Sequence, residues 1–320
     1  MKNILMFHNN WITYDYKDLT VNEYPNKNFT PTTLEDALVR QAKSIFNDVK
    51  PIVFLSGGID SQAIALGFIL AELEVEYVYI RLSFCDYYNQ QDYFFATQFC
   101  KKHNINLKII DLEFDKDSLR DFLLEQDYFN TPTGTGTIFL LEGIRRYKGD
   151  GIPILGDGKL VFENINNKCK GIFKKPGLAL SYGIKLENQI LFDFHYNYIF
   201  QYYEHIHRTT PEIQYLSKME AKNLIYTKLG FPFRPKLSGW EFLDDTGDYS
   251  SLSVIDWSND HSEEARITRG INAIVNKLDL SEKYTTKLIN SVIKNKLKKQ
   301  EIDNNNYITL YEFDTKYYYD

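Results

Sequence analysis

The chain has 320 residues and 37.6 kDa, of which 43% are hydrophobic and 25% charged, a composition that excludes a disordered chain and leaves room for two domains. Apolar runs such as 63–71 are far shorter than the roughly 18 residues of a membrane-spanning helix, and Lys2 followed by Ile4-Leu5-Met6-Phe7 is too brief for a secretory signal, so the cytoplasm is the expected compartment. A net charge of −6 argues against a protein that coats nucleic acid, although a local basic face stays open.

Residues 1–30 read as an N-terminal extension, a short strand-like run over 3–7 and then loop. Thr32 followed by Glu35 makes a capping box, and Leu34, Ala37, Leu38, Ala42 and Ile45 recur at helical spacing, so a helix is expected to end before Pro51. Ile52-Val53-Phe54-Leu55 is a wholly apolar run of the kind that a parallel strand buried on both faces shows. A glycine turn and a helix over 62–73 follow. Further strands are expected over 75–82, 107–112 and 152–155. Helices are expected over 92–103, with Phe95 and Phe99 inward, over 116–125 and over 138–147. Strands alternating with helices imply an α/β fold with a mostly parallel, doubly wound sheet, placed in a core of residues 31–170. Residues 171–320 read as mainly helical, including a lysine-rich amphipathic helix over 281–300 in which Leu288, Ile289, Val292 and Leu297 make an apolar stripe. Cys85, Cys100 and Cys169 form no Cys-x-x-Cys and read as reduced, packed thiols.

Ser56-Gly57-Gly58-Ile59-Asp60-Ser61 stands between the apolar strand and a helix. There, successive backbone N–H groups and the positive end of a helix favour an anion. Two glycines let the backbone approach a phosphate, the hydroxyls of Ser56 and Ser61 can donate to its oxygens, and Asp60 can hold Mg²⁺. The Gly-Lys-Ser/Thr ending of a Walker loop is absent.

The turn resembles the signature of the PP-loop ATP pyrophosphatases, which split ATP between the α and β phosphates and adenylate a substrate. Thr33 to Phe46 followed by Val53 to Ser61 looks like the opening of the synthetase domain of asparagine synthetases and β-lactam synthetases. Ile154-Leu155-Gly156-Asp157-Gly158 stands where that family has Gly-Glu-Gly-Ser-Asp, which implies Asp157 as a second metal-side carboxylate. Lys159 and Leu160 depart from the pattern that follows. The stretches containing Lys222 and Lys236 are similar to the family's late lysine helix and its Arg-x-Lys segment, where lysines stabilise the leaving pyrophosphate. The resemblance implies an ATP- and Mg²⁺-dependent, AMP-forming ligase acting on a small carboxylate or amide, with adenine near Arg81 and Leu82. Thr133, Thr135 and Thr137, between glycines, offer a second anion pocket.

The glutaminase domain of the glutamine-dependent enzymes is not expected here, because position 2 is Lys2 and the earliest cysteine is Cys85. The nitrogen would then come from ammonia, from a separate glutaminase, or from an amine on the substrate. Two other classes stay open: RNA or nucleobase modification, for which Lys287, Lys294, Lys296, Lys298 and Lys299 offer a basic face, and nucleotide binding without turnover, suggested by Lys159 and Leu160.

Overall fold

The computed structural model of the chain describes residues 5–6, 12–14, 19–21, 33–48, 50–84, 89–126, 128, 135–156, 159–165, 168–174, 190–191, 197–210, 213, 224–225, 271–272, 274–279, 286, 290–295 and 307–314. Three short strands open it, β1 (Leu5–Met6), β2 (Ile12–Tyr14) and β3 (Leu19–Val21), followed by α1 (Leu34–Asp48). An alternating run follows: β4 (Pro51–Phe54), α2 (Ile59–Leu70), β5 (Glu76–Arg81), α3 (Gln90–Lys102), β6 (Leu107–Asp111), α4 (Lys116–Glu125), α5 (Thr135–Arg146) and β7 (Ile152–Ile154). The rest contributes β8 (Lys159–Ile165), β9 (Lys168–Lys174), β10 (Ile190–Leu191), α6 (Asn197–Thr209) and β11 (Tyr307–Asp314).

Among the described residues the main sheet has six strands in the order β1-β10-β7-β4-β5-β6, every neighbouring pair parallel. The molecule is therefore α/β with a Rossmann-like parallel sheet. Strand parity explains its two faces. Val53 and Leu55 of the β4 segment, with Tyr77 and Tyr79 of β5, pack with residues of α1, α2, α3 and α6. Ile52 and Phe54, with Val78 and Ile80, pack with α4 and α5 on the other side. Progress from β4 through β5 to β6 uses helices on one face. The return past β4 to β7 uses helices on the other, as crossovers of one constant hand require. The chain reverses direction between β4 and β7, and the carboxyl ends of those two strands flank the crevice where open α/β sheets bind ligands.

Local sequence accounts for most boundaries. Asp36 donates its backbone N–H to Thr33 Oγ1 at 3.0 Å, so Thr33 is the cap of α1; the expected capping residue, Thr32, lies outside the described residues. Asp115 Oδ1 accepts from Ser118 N at 2.8 Å and starts α4. Gly67 of α2 lets α1 approach closely, since a Cβ there would lie 3.0 Å from the Leu38 carbonyl oxygen.

Beyond residue 158 the structure has strands that are not expected from the sequence: β8, β9 and β11 form an antiparallel sheet in the order β11-β9-β8, with Ile172 fully buried on the central strand, and the end of β9 and all of β11 fall in the region expected to be mainly helical. Lysines interleave the apolar residues of 168–174 and mask a period of two. The main sheet also draws strands from outside residues 31–170, because β1 and β10 form its far edge. Of the lysine-rich segment, 286 and 290–295 are described, all of them helical, with Val292 buried and Lys294 exposed. Among the described residues no helix is long and apolar enough to cross a membrane.

His207 of α6 is 3% exposed. Burial, aided by the neighbouring Arg208 charge, pushes its imidazole down from 6.5 to about 4. The unfolded chain thus takes up this proton at a higher pH than the folded chain. Stability should be flat near neutrality and fall as pH drops below about 6.5, by roughly 2 kcal/mol between pH 7 and 4.5 from this residue. Denaturant unfolding of His207→Gln at both pH values should show that share of the acid sensitivity removed; an undiminished pH slope would contradict it.

Candidate functional site

The crevice holds the glycine turn. β4 runs into Leu55, which is buried and donates its N–H to Val78 O at 2.9 Å, so the strand ends fixed to β5 just before the chain turns out. Ser56 is exposed at the tip. Gly57 has φ +77°, and Gly58 (φ −72°, ψ 157°) is the N-cap of α2 with no side chain to cap its first turn.

Two buried side chains set the direction of the peptides. Gln62 is 1% exposed, and its Nε2 donates to Gly57 O at 2.7 Å. The carbonyl and the following N–H of one planar peptide point in opposite directions, so tying Gly57 O inward turns the Gly58 N–H outward. Ser61, also buried, donates its hydroxyl to Gly58 O at 2.9 Å, and Gln62 N donates to the same oxygen at 3.0 Å. That directs the Ile59 N–H toward the open end of the helix. The hydroxyls of Ser56 and Ser61 lie 3.1 Å apart. Since Ser61 has one proton and gives it to Gly58, Ser56 is the donor in this pair. Ser61 therefore locks the turn, and the exposed Ser56 hydroxyl is the one with room to turn to a ligand. Asp60 is half-buried in the first turn of α2.

The second wall comes from β7. A Cβ on Gly156 would stand 2.9 Å from Ser61 N and 3.3 Å from Asp60 Cβ, so the chain leaving β7 lies directly against the turn. Asp157 is the next residue and lies outside the described residues, as do Lys222 and Lys236. Thr135 and Thr137 fall in the first turn of α5, a helix that starts at Thr135 rather than near 138, and Thr133 lies outside the described residues.

Arg81 ends β5 beside the turn, and Leu82 follows it. Leu82 is buried, and its N–H donates to Asn89 Oδ1 at 3.0 Å. Asn89 Nδ2 in turn donates to Ile80 O at 2.8 Å, and Tyr79 Oη donates to Asn89 O at 2.7 Å. One asparagine thus stitches the start of α3 to the end of β5. Of the residues expected near adenine, Arg81 is the accessible one. It makes a bidentate ion pair with Asp111, Nε to Oδ1 at 2.5 Å and Nη2 to Oδ2 at 2.8 Å, and lies 5.6 Å from the Tyr93 ring centroid. Ser83 Oγ donates to the same carboxylate. The hydrogen bonds from Arg81, then Ser83, hold Asp111 below the usual carboxylate range, and Asp111 keeps Arg81 charged.

Gln62 and Asn89 escape sequence reading, because nothing in a lone amide residue shows which backbone group it will hold. Cys100 is a buried free thiol raised to about 11 by burial, which agrees with a packed rather than reactive role.

Among the described residues no cluster of three or more His, Cys, Asp or Glu is arranged to hold a metal ion alone. Mg²⁺ does not ask for one: it takes one or two carboxylates and completes its shell with phosphate oxygens and water. Asp60, a hard oxygen donor beside the outward amides, fits that requirement. No protein-family model matches the chain, and no curated protein matches it.

Proposed function

We propose that the chain is an ATP-dependent, AMP- and pyrophosphate-forming ligase of the PP-loop type, similar to the synthetase domain of asparagine and β-lactam synthetases. It would adenylate a carboxylate and transfer it to ammonia or an amine. The observation that carries this reading is the 56–61 turn, lying in the crevice between β4 and β7 with the Gly58 and Ile59 amides set outward by Gln62 and Ser61.

In this reading the polyphosphate lies on the outward amides, with Ser56 donating to it and the positive end of α2 behind it. A substrate carboxylate oxygen attacks the α phosphorus, and the bond to the α–β bridging oxygen breaks. Pyrophosphate leaves with the electron pair, and an acyl adenylate remains. Ammonia or an amine then attacks the acyl carbon, AMP departs, and the nitrogen gives up a proton. Asp60, with Asp157 as its second carboxylate, would hold Mg²⁺, which when bound offsets the charge of the phosphates. Lys236 and Lys222 are assigned by the family resemblance to the charge on the departing pyrophosphate. Positioning and electrostatics supply most of the acceleration in such a scheme.

Incubation with ATP, Mg²⁺, ammonium and a panel of small carboxylates tests it. Stoichiometric AMP and pyrophosphate, dependent on one carboxylate, is the expected result; ADP and phosphate as products would overturn the mechanism.

A further inference from the structure

We propose that the Asn89 side chain controls recognition of the nucleobase: it occupies the edge of β5 beside the 56–61 turn as a surrogate for an adenine-type base, which must displace it to bind. This inference rests on reading that turn as a phosphate site. The ladder between β4 and β5 pairs Phe54 with Val78, and Leu55 then donates its N–H to Val78 O at 2.9 Å. In a continued ladder Gly57 would come next, giving its N–H to Ile80 O and accepting from Leu82 N–H. The turn carries Gly57 out of line, and Gln62 takes its carbonyl. The Asn89 amide fills the gap: its Oδ1 accepts from Leu82 N at 3.0 Å, and its Nδ2 donates to Ile80 O at 2.8 Å.

The 6-amino group of adenine beside a ring nitrogen offers the same pairing of donor and acceptor. A backbone N–H has one proton, and that of Leu82 is already given to Asn89, so no base takes this edge while the side chain is in place. Asn89 is 6% exposed. In so dry a spot an unmade hydrogen bond is costly, whereas exchange of one donor and acceptor pair for another is nearly neutral. Base and asparagine therefore compete for one position. Departure of the side chain does not release α3. That helix is held through the backbone carbonyl of Asn89, which accepts from Tyr79 Oη at 2.7 Å and from Tyr93 N at 3.1 Å, and the side chain makes no cap to the first turn of α3. Truncation at position 89 thus leaves α3 against Gly57 and the turn in shape.

Calorimetric titration of the full chain with adenosine, ATP, inorganic tripolyphosphate and purine riboside, which lacks the 6-amino donor, tests this. Asn89→Ala is expected to bind adenosine and ATP about tenfold more tightly than the unmodified chain, and purine riboside by no more than about threefold, with tripolyphosphate affinity within about twofold. In the unmodified chain the side-chain amide NMR signal of Asn89 should move on addition of ATP or adenosine and stay in place with tripolyphosphate, a readout that does not depend on the variant folding. Adenosine affinity unchanged or weakened in folded Asn89→Ala would overturn the inference, as would an equal gain for purine riboside or an Asn89 signal that bound ATP leaves in place. If tripolyphosphate binds while Asn89→Ala gains nothing for adenosine, the turn stands and the role of Asn89 falls. If the unmodified chain binds neither ATP nor tripolyphosphate, both fall.

Discussion

Gly57→Ala is expected to destabilise the fold by about 2–5 kcal/mol, the sum of roughly 1–2 for an alanine held in the left-handed region and 1–3 for overpacking. Gly57 has φ +77°, and a Cβ there would stand 2.5 Å from Asp92 O and 2.9 Å from Ala96 N. Both obstacles are backbone of α3, so no side chain can rotate out of the way; either α3 lifts off β4 or the turn changes shape. Gly58 differs. Its φ of −72° suits any residue, so Gly58→Ala should lose only the ~1 kcal/mol or less of a poorer N-cap while still blocking close approach of a phosphate. The two adjacent glycines thus separate by measurement, the first read out in the midpoint of guanidinium unfolding and the second in nucleotide affinity. A Gly57→Ala midpoint equal to that of the unmodified chain would mean that α3 does not rest on the turn.

That split between the glycines marks how far the sequence is legible. The doublet announces an anion turn, but only the position of α3 reveals that Gly57 is demanded by packing. The β4 segment was readable because both faces of a central parallel strand are buried, so four apolar residues stand in a row and divide by parity between the two cores. α4 was readable to the residue, since Asp115 caps one end and Leu119, Phe122 and Leu123 recur at helical spacing. β1 lies inside the strand-like run over 3–7, but β10 was not readable, being two residues long and held between β7 and a partner more than 180 positions away in the chain. β8 and β9 were missed for a different reason: charged residues occupy the positions that pair across strands, Glu163 with Lys170 for example, and conceal the alternation. In the site, the residues of the turn were visible as a motif. Gln62 and Asn89, which hold its peptides and its neighbouring strand, act through tertiary hydrogen bonds that no local pattern encodes.

Asp60→Ala is expected to abolish AMP release. The acid also sits in the first turn of α2, where its interaction with the positive end of the helix is worth about 0.3–1 kcal/mol. Asp60→Asn sharpens the test, because it keeps the size and hydrogen-bonding capacity of the side chain and removes the charge; it should lose turnover as fully as alanine if the carboxylate holds a cation, and recover it if the residue only shapes the turn. Electrostatics adds a change of sign. A carboxylate beside the outward amides of Gly58 and Ile59 repels a polyphosphate unless a divalent cation stands between them. With Mg²⁺ present, the unmodified chain should bind ATP more tightly than Asp60→Ala. With Mg²⁺ chelated, the order should reverse, since the variant has shed a repulsive charge and kept every backbone donor. Full turnover in Asp60→Ala, or the same affinity ranking with and without Mg²⁺, would remove Asp60 from the metal role and leave the turn as an anion site that works without it.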